Sequence, residues 1–198
     1  PTMPTGTKVT LTIYLFFQLL IVGALIYRSH IQKRLNYLQR LQLETLVKTD
    51  VLTSAFNRAA CDAVLQQLCS SHCDFSLILA DIDDFKQIND TYGHYEGDQA
   101  LKETANILKE VCKTHDVFLA RYGGDELAII ARFENKNKAE GLKSEIVKAF
   151  MARNENSDKK YDISLSVGIS QYEDSKLAFI NKADRAMYAY KLQNKAAS

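Results

Sequence analysis

The chain has 198 residues, 46% hydrophobic and 25% charged, with ten Tyr, nine Phe and no Trp. That composition excludes a disordered tail, a collagen-like fibre and a disulfide-stapled miniprotein, and it suffices for one full-sized domain plus an extension. Residues 1–49 carry six basic groups against Glu44 alone, so of the net charge of +1 they hold +5 and residues 50–198 hold −4; the larger part lacks the clustered positive charge that a nucleic-acid polymer requires.

Residues 1–8 read as the flank of a longer N-terminal region, expected to be sensory, because the sequence does not open with Met. Residues 9–27 (VTLTIYLFFQLLIVGALIY) contain no charge. Nineteen helical residues at ~1.5 Å each span roughly the hydrocarbon thickness of a bilayer. Arg28, His30, Lys33 and Arg34 follow at once, whereas only Lys8 precedes. The positive-inside rule therefore predicts a single pass through the inner (cytoplasmic) membrane, with the C-terminal part in the cytoplasm. The competing readings are a buried core helix and a signal-peptide core, and the run is too uniformly apolar for the first and too long for the second. Residues 28–49 continue helically with Ile31, Leu35 and Leu38 in step, either a short coiled-coil stalk or a linker helix folded on its own domain.

Residues 50–198 alternate helices and strands. Helices are predicted at 57–69, 97–112, 139–152 and 176–192, and strands at 76–82, 117–121, 127–131 and 161–170. Residues 83–96 read as a loop. The order predicts an α+β sandwich with helices packed on a sheet. Cys61, Cys69, Cys73 and Cys112 form no C-x-x-C pair, and Cys61, Leu65 and Leu68 read as the inward stripe of a helix rather than as part of a zinc site.

Two acidic clusters carry the chemistry. Asp81, Asp83 and Asp84 crowd the end of the first strand, where alternation puts Asp81 and Asp83 on one side. Their mutual repulsion calls for a cation, and Mg²⁺ is the natural one; the bland alternative is a solvated acidic turn. An EF-hand is excluded by Lys86 and Tyr92 at its glycine and glutamate positions. Asp125 and Glu126 follow the Gly123–Gly124 pair of a predicted hairpin. If the two strands are neighbours, Asp81 and Asp125 come to one metal.

The run RYGGDEL at 121–127 resembles the GGDEF signature of diguanylate cyclases. DVLTSAFNR at 50–58, DIDDFKQINDTYGHYEGDQAL at 81–101, LSVGIS at 165–170 and ADRAMYAYK at 183–191 resemble that family's other motifs, in its order. The resemblance implies a mostly antiparallel central sheet wrapped by helices, like nucleotidyl cyclases and polymerase palms. It implies a homodimer in which each domain holds one GTP, and the two are condensed into cyclic di-GMP with release of two pyrophosphates. It implies two Mg²⁺ per site, with Mn²⁺ as a substitute, held by Asp81, Asp125, Glu126 and the Ile82 carbonyl. Asp125 or Glu126 would help deprotonate the 3′-hydroxyl, and Lys86 would neutralise phosphate charge. Asn89 and Asp98 would read guanine, with His94 near that pocket, and Lys191 and Lys195 would hold terminal phosphates. Asn57 and Arg58 read as structural.

Two departures stand out. Leu127 replaces the signature Phe and is expected to face inward with activity retained. The inhibitory product-binding R-x-x-D site of many relatives is replaced by Thr114 and Val117, so strong product inhibition through it is not expected. The alternatives are a catalytically silent GTP-binding regulator or scaffold, and a cyclase that also accepts ATP, which Asp98 disfavours.

Overall fold

The computed structural model describes residues 5–46, 48–71, 73–132, 136–173 and 175–197, with side chains 5, 7–12, 39–46, 136 and 194–197 outside the description. It divides into two units, 1–47 and 48–198. The first holds α1, an unbroken helix Thr5–Leu46. Residues 9–27, predicted as a span, and 28–46 of the predicted stalk therefore lie on one helix, whereas Lys48 and Thr49 are not helical. Its stretch Ile13–Leu38 is, among the described residues, long and apolar enough to cross a membrane, and its large apolar side chains are exposed from Ile13 to Leu38. A helix apolar around its whole girth suits lipid or a partner better than water.

The second unit is a four-stranded sheet between two helical layers. Its strands are β1 Ser76–Ile82, β2 Val117–Arg121, β3 Glu126–Ala131 and β4 Leu165–Gln171, in the order β2-β3-β1-β4. Every pairing is antiparallel. The helices are α2 Arg58–Ser70, α3 Phe85–Tyr92, α4 His94–Cys112, α5 Lys136–Glu155 and α6 Lys176–Ala197. Ile78, Ala80 and Ile82 of β1 pack with α4 and α5, whereas Leu77 and Leu79 pack with α2 and α6. This parity puts Asp81 on the α6 face.

Three expectations are corrected. Residues 83–96 are mostly helical: Asp84, left-handed at φ 51°, turns the chain from β1 straight into α3. Asp tolerates that conformation because its short side chain can bond locally. Residues 161–164 are not strand, although Ile163 is fully buried, because β4 begins only at Leu165. Nor has β4 one wet face: residues 165–170 are buried throughout. Its small residues Ser166, Gly168 and Ser170 lie under α6, and a Cβ at Gly168 would collide with the Ala183 carbonyl and the Met187 amide. Three readings of local structure agree with the observed geometry, at Asn57, along α2 and at Leu127. Asn57 caps α2 by accepting from the Ala60 amide at 2.9 Å, Cys61, Leu65 and Leu68 are buried, and Leu127 is fully buried.

Candidate active site

At the end of the two central strands, which forms a carboxylate edge, Asp81 and Glu126 are register partners across β1 and β3. Directly opposed residues of an antiparallel pair project to the same face, so both carboxylates lie on the α6 side. Asp125 is tied to the same edge, its carbonyl accepting from the Ile82 amide at 3.3 Å. Asp81 is only 9% exposed, and the Lys191 ammonium, brought over from α6, hydrogen-bonds its carboxylate. Burial pushes the Asp81 carboxyl above its ordinary value, and Asp125 and Asp83 add to this against the opposing Lys191 bond. Glu126 is raised by burial and then by Asp81, Asp125 and Asp184. Its carboxylate rests against Gly123. Like charges thus crowd this edge.

Asp83 behaves differently from Asp81. Its carboxylate accepts from the hydroxyls of Ser164 and Ser166, and its amide donates to the Ser164 carbonyl at 3.0 Å. Three bonds into β4 and the turn before it make Asp83 a strut that fixes the end of β1. Among the described residues, no three metal-ligating side chains converge on one point. The donors nevertheless suit a hard divalent cation, being carboxylate oxygens that raise one another's proton affinity.

A residue pair that the motif reading left without a role holds the signature turn. Arg121 donates through Nε and Nη2 to the Gly124 carbonyl at 3.0 and 2.6 Å. Its Nη1 meets both oxygens of Asp50 at 3.3 Å. Asp50 also accepts from the Thr53 amide and hydroxyl at 2.8 and 2.7 Å. Burial works against its ionised form, but the bonds from Thr53 and Arg121 prevail and hold the carboxyl below its ordinary value. One guanidinium thus links the leading segment to the GGDE turn, with the planar fork that suits Arg to such contacts. Both residues stand in the quoted motifs; their pairing was the missing signal.

The other predicted residues form a helical corner. Lys86 is exposed on α3, Asn89 is half-buried there, and His94 and Asp98 are exposed on α4. The chain reverses between the helices at Gly93, φ 87°. Asn89 Nδ2 donates to the Phe85 carbonyl at 3.3 Å. Its carboxamide lies where a Cβ on Gly97 would be, so glycine at 97 lets the two helices close. Lys191 is placed on Asp81 rather than standing open toward solvent, and the Lys195 side chain lies outside the description.

The description "Diguanylate cyclase, GGDEF domain" matches residues 47–197. The chain is 36% identical over 190 residues to the uncharacterized protein YtrP of Bacillus subtilis, covering 94% of this chain and 31% of YtrP. It is 36% identical over 120 residues to Diguanylate cyclase A of Treponema denticola, covering 59% of this chain and 32% of that protein. The chain therefore spans about a third of these relatives' length. The crystal structure of the coiled coil and GGDEF domain of DgcB from Caulobacter crescentus, in complex with c-di-GMP, superposes with a TM-score of 0.69 at 28% identity, covering 87% of this chain and 95% of that one. With the signature turn and the antiparallel sheet that carries it, these matches establish that the chain belongs to the GGDEF-domain family of diguanylate cyclases.

Proposed function

We propose that the chain is an active diguanylate cyclase, condensing two GTP into cyclic di-GMP as a homodimer with one GTP per domain. The observation that carries this reading is the opposition of Asp81 and Glu126 across β1 and β3, with Asp125 bonded to the same edge. Asp81, Asp125, Glu126 and the Ile82 carbonyl would hold Mg²⁺, or Mn²⁺ in its place. When bound, such an ion neutralises phosphate charge and acidifies the attacking hydroxyl.

The chain's own groups do the rest. Each 3′-oxygen forms a bond to the other nucleotide's α-phosphorus as the α–β phosphoanhydride bond breaks and pyrophosphate leaves. The 3′-hydroxyl proton passes to Asp125 or Glu126. Lys86 offsets the charge that builds on the phosphate. Asn89 and Asp98 read the guanine edge beside His94. A carboxylate accepting from the N1–H and the 2-amino group rejects adenine, which lacks that donor pair. Lys191 exchanges Asp81 for the terminal phosphates when nucleotide and cation enter, and Lys195, further along α6, adds a second charge.

The residues 9–27 of α1 would anchor the enzyme in the inner membrane, with the cyclase unit in the cytoplasm. The decisive experiment incubates the purified chain with Mg²⁺ and GTP, with and without ATP, and identifies the products by mass. Cyclic di-GMP alone is the expected product. No product, with GTP bound, would make the chain a silent regulator; a mixed dinucleotide would make it a cyclase of relaxed specificity.

A further inference from the structure

Between α5 and β4, residues 156–164 follow an irregular path with an unusual density of polar bonds to distant residues. Tyr161 donates its hydroxyl to Glu96 Oε2 at 3.0 Å, at the first turn of α4. Lys159 reaches the same carboxylate oxygen at 2.7 Å. From α3, Tyr92 donates to the Lys160 carbonyl at 2.9 Å, and its ring meets that of Tyr161 with centroids 5.2 Å apart. The segment therefore grips both sides of the Gly93 reversal.

It is itself held from behind. Arg153 places two parallel bonds on Glu103 of α4, at 2.9 and 2.8 Å, and donates to the Tyr161 carbonyl at 3.1 Å. Asn154 exchanges two 3.0 Å bonds with the backbone of Ile163. Bidentate Arg–carboxylate contact is geometrically exacting, so this anchor fixes where the Tyr161 ring stands. Glu96 lies two residues from both His94 and Asp98, and beside Gly97, on which Asn89 rests.

We propose that Tyr161, braced by Arg153 and bonded to Glu96, is a positioning residue for guanine recognition, pinning the α3–α4 corner so that Asn89 and Asp98 keep the spacing that reads the base. The inference rests on the guanine-reading role given to Asn89 and Asp98 above. It assigns specificity to a strap that does not touch the nucleotide. Groups held by a preorganised support read a ligand better than groups free to drift. Inosine triphosphate, which lacks the 2-amino group, is the discriminating probe: a loosened corner loses its bond to that amino group and so its preference for GTP.

The test compares the 198-residue chain, solubilised in detergent, as wild type, Tyr161→Phe, Glu96→Ala, the double variant of these two, Glu96→Gln and Asp98→Ala. Steady-state rates are measured with GTP and with inosine triphosphate, and Tm is recorded for each. Tyr161→Phe and Glu96→Ala are each expected to raise the KM for GTP about fivefold, with kcat within about twofold, and to shrink the preference for GTP. Their double variant should be no worse than either alone. Glu96→Gln, which can still accept from Tyr161, should restore most of the preference. An unchanged preference in Tyr161→Phe, whatever its Tm, would overturn the proposal while leaving the base-reading role intact if Asp98→Ala abolishes the preference. If Asp98→Ala keeps the preference, the underlying reading fails and the proposal with it.

Discussion

At the sheet edge, Asp81 keeps 9% of its surface, and burial, Asp125 and Asp83 all raise its proton affinity against a single ammonium bond. At the helical corner, His94 and Asp98 stand exposed and are steered by helices that a bonded strap holds in place. Carboxylates appear in both regions. In the proposed reading, the crowded and partly buried carboxylates would take a cation and a proton, and the solvated one would discriminate by geometry. The proposed division of labour, chemistry at one end and base selection at the other, follows from solvent access more than from residue type.

The largest effect should come from the carboxylate edge. Asp125→Ala is expected to lower turnover by at least about 10³-fold, with the circular dichroism spectrum and Tm retained; a variant that keeps a tenth of the activity would break the comparison. At the exposed end, Asp98→Ala should act on KM, raising it for GTP by about 10–100-fold while kcat falls far less. A kcat loss as large as that of Asp125→Ala would dissolve the distinction between the two regions.

Gly97→Ala sharpens it further. The added methyl collides with the Asn89 carboxamide, so KM for GTP should rise about threefold to tenfold without altering the carboxylate edge. Outside both regions, Asp50→Asn tests the Arg121 clamp. The Asp50 pKa is depressed in the folded chain, so its contribution is present above the ordinary value of 3.8 and disappears as pH falls through the folded value. The variant should melt a few degrees lower at neutral pH, with a flatter decline on the acid side, in calorimetry across pH 2–7. The smallest effect concerns product. With Thr114 and Val117 where the R-x-x-D pair would stand, low-micromolar cyclic di-GMP should leave initial rates unchanged.

Much of this was legible in the chain. The apolar run SLILADI delimits β1, because a strand buried along its whole length announces itself by continuous apolar content. The eight residues of α3 gave no such signal, since its one fully buried residue is Ile88, and a helix that short and polar depends on its tertiary setting. The alternation through 161–164 misled for the opposite reason: Ile163 is buried by packing, while the backbone of Tyr161 and Ile163 is committed to the side chains of Arg153 and Asn154. The carboxylates were visible as residues. Their opposition needed the β1–β3 register, and the Asp50–Arg121 link, 71 positions apart in sequence, needed the folded chain.

Gly168 carries a consequence for how this domain can change over generations. Helix α6 lies so close over β4 that a side chain at that position would lift it, and the same helix delivers Lys191 to Asp81. A single methyl group deep in the interior would thus act as a shim beneath a lever, shifting an ammonium at the reactive edge without replacing any residue there. Silencing of such a domain need not begin with loss of its signature; it can begin with one alanine where α6 meets β4.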